Sequence, residues 1–174
     1  MERGTFLKIA LKSFAMTSLA ISGVNCGSAL KTPKLKGLSE SEYHNMNSLG
    51  EIFLEGFEIP GFDLGLAMDH HLFGHPMPMP DYIVSDGQEL AGAPSSRLAA
   101  LVLDGSLTPL VALPPAERRA RLLGWKHSSS KMKRGLFGIM RQTCFVLLSS
   151  SPKYQEFIGY GPKNYFEAWA NRKG

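Results

Sequence analysis

The feature that most constrains the fold is a long stretch of helical periodicity in the C-terminal half. It begins at Pro115, a residue type favoured in the first turn of a helix, and continues to Ser150. One broad side of this helical pattern carries Leu122, Trp125, Met132, Leu136, Ile139, Met140, Thr143 and Leu147. The serine cluster at 128–130 predicts a break or a bend within it.

Shorter helical patterns precede this stretch. Ser39 and Glu42 form an S-x-x-E capping box, which predicts a helix that ends near Gly56. Residues 62–74 predict a second helix with an apolar stripe. Because no segment shows the sustained alternation of a strand, we expect a mainly α fold, a small helical domain with bundle-like packing.

A proline-rich segment separates the second helix from the third. Prolines at 76, 78 and 80 exclude a regular helix there, and the sequence predicts a loop over 75–96 with a weak strand-like pattern in "DYIVS". Ser95 or Ser96 is expected to cap the third helix.

The N-terminus has the character of an export signal. Arg3, Phe6, Leu7 and Lys8 match a twin-arginine pattern, but Gly4 occupies the position of the second arginine. An uncharged stretch at 13–24 is too short to cross a bilayer, which needs about 20 apolar residues. We therefore predict export to the periplasm by a route that Gly4 leaves open.

The small residues that follow predict where the signal is cleaved. Gly27-Ser28-Ala29 suits a cleavage site, so the expected organisation is a signal peptide at 1–29, a basic linker at 30–37 and a single helical domain at 38–174. An alternative is a periplasmic lipoprotein anchored at Cys26.

Charge is unevenly distributed along the chain. Residues 37–125 carry four basic and twelve acidic side chains, whereas residues 126–174 carry nine basic and two acidic ones. No nucleic-acid-binding motif accompanies the basic part, so we expect no nucleic-acid partner.

One cluster could ligate a metal. Asp69, His71 and His75 combine a carboxylate with two imidazoles four residues apart, ligand types that suit zinc or iron. Gly74 and Pro76 make it doubtful that one helix carries both imidazoles. A small metal-binding protein is therefore an alternative, and the main expectation is that this chain holds no metal. The sequence also contains no nucleophile, phosphate-binding or dinucleotide-binding motif, and we expect no catalytic site.

Three stretches in order resemble one protein family. They are the near-twin-arginine start, the segment "GLSESEYHNMNSLGEIFLEGFEIPGFDLGLAMDHHLFG", and "ERRARLLGWKHSSSKMKRGLFGIMRQTCFVLLSSSPKYQEFIGYGP". Together they are similar to the small subunit, subunit 3, of gluconate 2-dehydrogenase-type flavoprotein dehydrogenases. The matching positions in the third stretch are Arg119, Leu122, Leu123, Trp125, Ser128, Pro152, Ile158, Gly159, Tyr160, Gly161 and Pro162. The sequence "IGYGP" is one residue shorter than the family's usual "IGYPGP".

The resemblance implies a non-catalytic accessory role. Such a subunit accompanies a large FAD-dependent oxidoreductase of the glucose-methanol-choline type, often with a c-type cytochrome, and assists the maturation and export of the flavoprotein. FAD and haem c would then belong to partner subunits and no cofactor to this chain, and any membrane association would arise through the complex.

Three aromatic residues near the C-terminus are candidates for binding the partner. Tyr165, Phe166 and Trp169 lie within five residues of one another. Large aromatic side chains serve protein interfaces and protein cores alike. They are therefore expected either to contact the flavoprotein or to pack on the protein's own helices.

We predict that residues 1–29 are absent from the mature protein. The measurement is the intact mass of protein recovered from the periplasm, which should correspond to a chain that begins at Leu30. A mass that retains Met1 would contradict the predicted cleavage, and a diacylated Cys26 would favour the lipoprotein alternative.

Overall fold

Seven α-helices and two 3₁₀ turns form the part of the chain that the computed structural model describes, residues 32–160. The helices are α1 (Glu40–Phe53), α2 (Leu64–Phe73), α3 (Asp81–Gly92), α4 (Arg97–Asp104), α5 (Pro115–Lys126), α6 (Lys131–Ser150) and α7 (Pro152–Phe157). The 3₁₀ turns are Ala93–Ser95 and Leu110–Ala112. No strand occurs in this range, which confirms the predicted mainly α class.

Helix α1 begins where its capping box predicts. The Ser39 hydroxyl accepts a hydrogen bond from the Glu42 backbone N–H at 3.3 Å, and the Glu42 carboxylate accepts one from the Ser39 N–H at 2.7 Å. These two bonds satisfy donors that the first turn of a helix would otherwise leave unpaired.

The serine cluster breaks the long helical pattern into two helices. Helix α5 ends at Lys126, and α6 begins at Lys131 after Ser130, whose hydroxyl accepts a hydrogen bond from the Lys133 N–H at 3.4 Å. The Ser128 hydroxyl accepts another from the Ser130 N–H at 3.1 Å. Serine hydroxyls thus replace helical hydrogen bonds at this turn.

The predicted loop at 75–96 is wrong over most of its length. Helix α3 begins at Asp81, immediately after Pro80, and continues to Gly92. The prolines exclude a helix only as far as residue 80, and the next residues are free to form one. The strand-like "DYIVS" is the start of α3, and it places Ile83 against the core.

The core lies around α1. This helix packs against α2, α3 and α6, and α6 also contacts α5 and α7. The largest fully buried side chains are Met46, Leu49, Pro94, Leu122, Met140, Cys144 and Leu148. Residues from three helices, α1, α5 and α6, and from one 3₁₀ turn therefore contribute to this set.

Cys144 is a buried structural residue. Its side chain is fully buried on α6, and this burial raises the pKa of the thiol to about 12. The thiol is therefore neutral at physiological pH and lacks the thiolate character of a reactive cysteine.

Within residues 32–160, no helix is both long enough and apolar enough to cross a membrane. The longest, α6, has 20 residues and includes Lys131, Lys133, Arg134 and Arg141.

We predict that Gly65→Ala destabilises the fold. A Cβ at Gly65 would lie 2.7 Å from the Tyr43 carbonyl oxygen on α1, so α1 and α2 would have to separate. Overpacking of this kind lowers the free energy of unfolding by about 1–3 kcal/mol. Urea denaturation measures the change.

The matched control for this prediction is Gly124→Ala. Gly124 lies in α5, and beyond the adjacent backbone of that helix an added Cβ would meet no atom within 4 Å, so the alanine should raise stability by about 0.5–1 kcal/mol. Equal effects of the two substitutions would contradict the close contact between α1 and α2.

Candidate functional site

Arg118 fixes the segment that connects α4 to α5. Its side chain is 7% exposed, and its guanidinium donates to the carbonyl oxygens of Val111 at 3.4 Å and Leu113 at 3.2 Å. It also lies 3.5 Å from the Glu51 carboxylate of α1. One buried cation therefore holds the 3₁₀ turn at Leu110–Ala112 against the body of the domain.

The end of α4 is held by a cluster that we call the Asp104 junction, consisting of Asp104, Arg121, Trp125 and Lys133. Asp104 Oδ1 accepts a hydrogen bond from Trp125 Nε1 at 2.8 Å and lies 3.0 Å from Lys133 Nζ. Asp104 Oδ2 makes no hydrogen bond within the described residues and lies 3.8 Å from Arg121 Nε. Arg121 also donates to the Thr108 carbonyl at 2.9 Å. The junction thus joins α4, α5 and α6.

Apart from Arg97 in its first turn, helix α4 exposes apolar side chains to solvent as well as to the core. Its inward side chains, Ala99, Ala100 and Leu103, are buried. On other sides of the helix, Leu101 is 46% and Val102 54% exposed, and Leu107 just after it is 65% exposed. A surface helix normally presents polar residues to water, so this is an unusual composition.

We call these exposed residues, together with the half-buried Leu98, the α4 surface. Leu98, Leu101 and Val102 are neighbours at helical spacing on α4, and grouped exposed apolar side chains commonly mark a site of interaction. The Asp104 junction and Arg118 hold α4 and the following segment in place. The α4 surface therefore lies on a fixed support, as a preformed binding surface requires.

The predicted metal-binding candidates do not come together. Asp69 is 3% exposed, and its carboxylate accepts the backbone N–H groups of residues 36–38 at 2.8, 2.9 and 2.9 Å. Helix α2 ends at Phe73, and His75 Nδ1 lies 3.1 Å from the Met77 carbonyl oxygen beyond it. Within the described range, no three histidine, cysteine or acidic side chains are placed to share a metal ion.

Asp69 instead anchors part of the predicted basic linker. Burial alone would raise the pKa of this carboxyl group, but the three backbone N–H donors and the nearby Lys36 ammonium outweigh it. The pKa of Asp69 therefore lies below its usual value of 3.8, and the carboxylate stays charged at neutral pH.

The residues that carry the resemblance described above occupy two different settings. Trp125 is buried in the Asp104 junction, and the Ser128 carbonyl accepts a hydrogen bond from Arg134 at the turn between α5 and α6. Ile158, Gly159 and Tyr160 follow α7 and are exposed. Outside the described residues lie Arg3, Phe6, Leu7 and Lys8 of the signal, Cys26, the motif residues Gly161 and Pro162, and the partner-binding candidates Tyr165, Phe166 and Trp169.

Sequence reasoning missed the residues that support the α4 surface. In "ERRAR" at 117–121, arginines are typical of a solvated helix face, and nothing local distinguishes the buried Arg118 from the exposed Arg119. Asp104 precedes Gly105, whose φ of +66° ends α4, and this helix-stop pattern gives no hint of a bond to Trp125. Only the apolar run at 98–103 could have indicated an unusual surface.

Comparison with known proteins identifies no relative for this chain. No family model matches it, and no curated protein or solved structure gives a significant match. Inference about its function therefore starts from its own motifs and geometry.

We predict that Asp69→Asn destabilises the protein in a pH-dependent manner. The amide lacks the charge and one of the two acceptor oxygens, so at neutral pH the free energy of unfolding should fall by about 1.5–3 kcal/mol. Because the pKa of Asp69 is lowered in the folded state, its stabilising effect exists above the unfolded pKa and disappears as pH falls through the folded value. The difference between wild type and variant should therefore narrow below about pH 4.

Urea denaturation at neutral and at acidic pH measures this difference. Glu58→Gln is the matched control, since Glu58 is exposed and its substitution should change stability by less than about 0.5 kcal/mol at either pH. A constant difference between wild type and Asp69→Asn across the pH range would show that the three hydrogen bonds do not depend on the charge.

Proposed function

We propose that this protein is the non-catalytic small subunit of a heteromeric FAD-dependent alcohol or sugar dehydrogenase in the periplasm. In this role it binds a large flavoprotein subunit of the glucose-methanol-choline type, assists its maturation and export, and remains bound. The resemblance of the ordered motifs to subunit 3 of gluconate 2-dehydrogenase-type enzymes suggests the partner. The exposed apolar side of α4 is the structural observation that carries the binding role.

Burial of the α4 surface would supply part of the binding free energy. Complete burial of one aliphatic side chain contributes about 1.5–3 kcal/mol, and three of these side chains start about half exposed or more. A stable interface normally buries about 800 Å² on each partner, more than four side chains can provide. The α4 surface is therefore proposed as the central anchor of a larger contact.

The Asp104 junction has a positioning role in this proposal. Trp125 is one of the residues that carry the resemblance. It donates a hydrogen bond to Asp104 and so holds the C-terminal end of α4, the helix that carries most of the α4 surface. Helix α4 would meet the partner already ordered, and less conformational entropy would be lost on binding.

The chemistry of the complex would belong to the partner. This sequence contains no G-x-G-x-x-G fingerprint for a dinucleotide cofactor. Among the residues that the structure describes, the buried charged side chains, Asp69 and Arg118, make structural contacts. Tyr165, Phe166 and Trp169 keep the two roles that the sequence leaves open, contact with the partner and packing on the protein's own helices.

We predict that the affinity-tagged protein, purified from its own cells, retains a large chain that mass spectrometry identifies as a flavoprotein of the glucose-methanol-choline type. Flavin absorbance should accompany that chain and be absent from the small subunit purified alone. Leu101→Asp should lower recovery of the flavoprotein about tenfold or more, as expected when a central apolar anchor is lost.

Leu66→Asp is the matched control, because Leu66 is a leucine of similar exposure on α2, 37% against 46% for Leu101. It should leave recovery unchanged, and far-UV circular dichroism should show that both variants keep their helices. A flavin-loaded small subunit, or a wild-type preparation without a flavoprotein, would overturn the proposed function. Equal recovery with both variants would remove the α4 surface from the interface.

A further inference from the structure

A second exposed apolar surface lies at the end of α7. Phe157 is 62%, Ile158 51% and Tyr160 71% exposed, and they fall within four consecutive residues. We call these three residues the α7 surface. Large side chains concentrated in so short a stretch are costly to leave in water, which points to an occupant.

The backbone after α7 turns back toward the helix. The Gly159 N–H donates to the Glu156 carbonyl at 3.0 Å, and the Tyr160 N–H donates to the Gln155 carbonyl at 2.6 Å. With a φ of +73° at Gly159, these two bonds form a Schellman motif, which caps a helix and reverses the chain. A residue with a side chain rarely adopts this conformation, so the glycine of the family-like "IGYGP" has a conformational role.

The geometry points to residues 161–174 as the occupant of this surface: we propose that they pack back on the α7 surface through Tyr165, Phe166 and Trp169. This segment continues directly from Tyr160 at the reversal. Residues 161–165 can span about 17 Å when extended, whereas the six-residue α7 is about 9 Å long. The aromatic side chains are therefore within reach of the whole of α7.

The segment is basic, whereas the charges beside α7 are mixed. The segment contributes Lys163, Arg172 and Lys173 against the single acid Glu167. Near α7 the exposed acids are Glu156 on the helix itself and Glu58 on the loop between α1 and α2. That loop adjoins α7, since a side chain at Gly61 would collide with the Lys153 ammonium. A basic, aromatic segment is thus tethered beside an apolar surface, and α7 itself carries both an exposed acid, Glu156, and an exposed base, Lys153.

Covalent tethering favours this segment over a separate molecule of equal intrinsic affinity. A short flexible connection gives an effective concentration of about the millimolar range, which free partners rarely reach. The inference does not depend on the proposed function. It assigns Tyr165, Phe166 and Trp169 to contact with the protein's own helices. Contact with the partner is then made by the α4 surface.

Fluorescence of Trp169 tests the inference on the purified chain. The sequence has two tryptophans, and Trp125 is 4% exposed, so the spectrum of wild type minus that of Trp169→Phe isolates Trp169. We expect blue-shifted emission that acrylamide quenches several-fold less than it quenches free tryptophan, in a sample shown to be monomeric by sedimentation. The double variant Phe157→Asp/Ile158→Asp should raise acrylamide quenching of Trp169 toward that of free tryptophan. The same double variant with Trp169→Phe added supplies the reference spectrum.

The control is Val102→Asp, which places a charge on the α4 surface and should leave Trp169 protected. Free quenching of Trp169 in wild-type monomer would overturn the proposal, and this result requires only the Trp169→Phe reference to fold. Protection that appears only in a dimer would assign the α7 surface to a second copy. Protection that appears only after addition of the flavoprotein would assign it to the partner, and either outcome overturns the intramolecular contact.

Discussion

The rest of the candidate site depends on the interactions of the Asp104 carboxylate. One acid at the end of α4 receives an indole N–H from α5 and an ammonium from α6, and it faces a second cation at Arg121. A hydrogen bond to a charged group contributes about 1.5–3 kcal/mol, a large share of a typical domain's stability. Without this carboxylate, two cations would lie close together with no counter-charge, and α4 would lose its attachment at that end.

The sequence predicts helices well where the signal is local. The Ser39–Glu42 capping box and the Ser128–Ser130 break each lie within three or four neighbouring residues. The hydrogen bonds of these residues confirm both predictions. Helix α3 shows the opposite case, because the prolines at 76, 78 and 80 suggest a loop that extends beyond their steric reach. A proline restricts its own backbone and the residue before it, and the chain after Pro80 is unaffected.

The candidate site was far less predictable, since its contacts join residues distant in sequence. The resemblance points to Trp125, whereas its hydrogen-bond partner Asp104 lies 21 residues earlier. The nearby histidines suggest Asp69 as a metal ligand, whereas the structure pairs it with backbone groups 31 to 33 residues away. A carboxylate near imidazoles has the same local pattern in both situations, and only the fold shows which donors reach it.

The reactivity of the buried Cys144 thiol measures how often this domain opens. Its thiol is fully shielded on α6 among the most buried side chains, and a neutral thiol reacts slowly with alkylating reagents. Modification of Cys144 therefore requires the helices around α6 to separate, so its rate reports how often they do so under native conditions. In an oxidising compartment the same shielding keeps Cys144 from forming mixed disulfides while the domain is closed, and unfolded molecules alone would be trapped by oxidation.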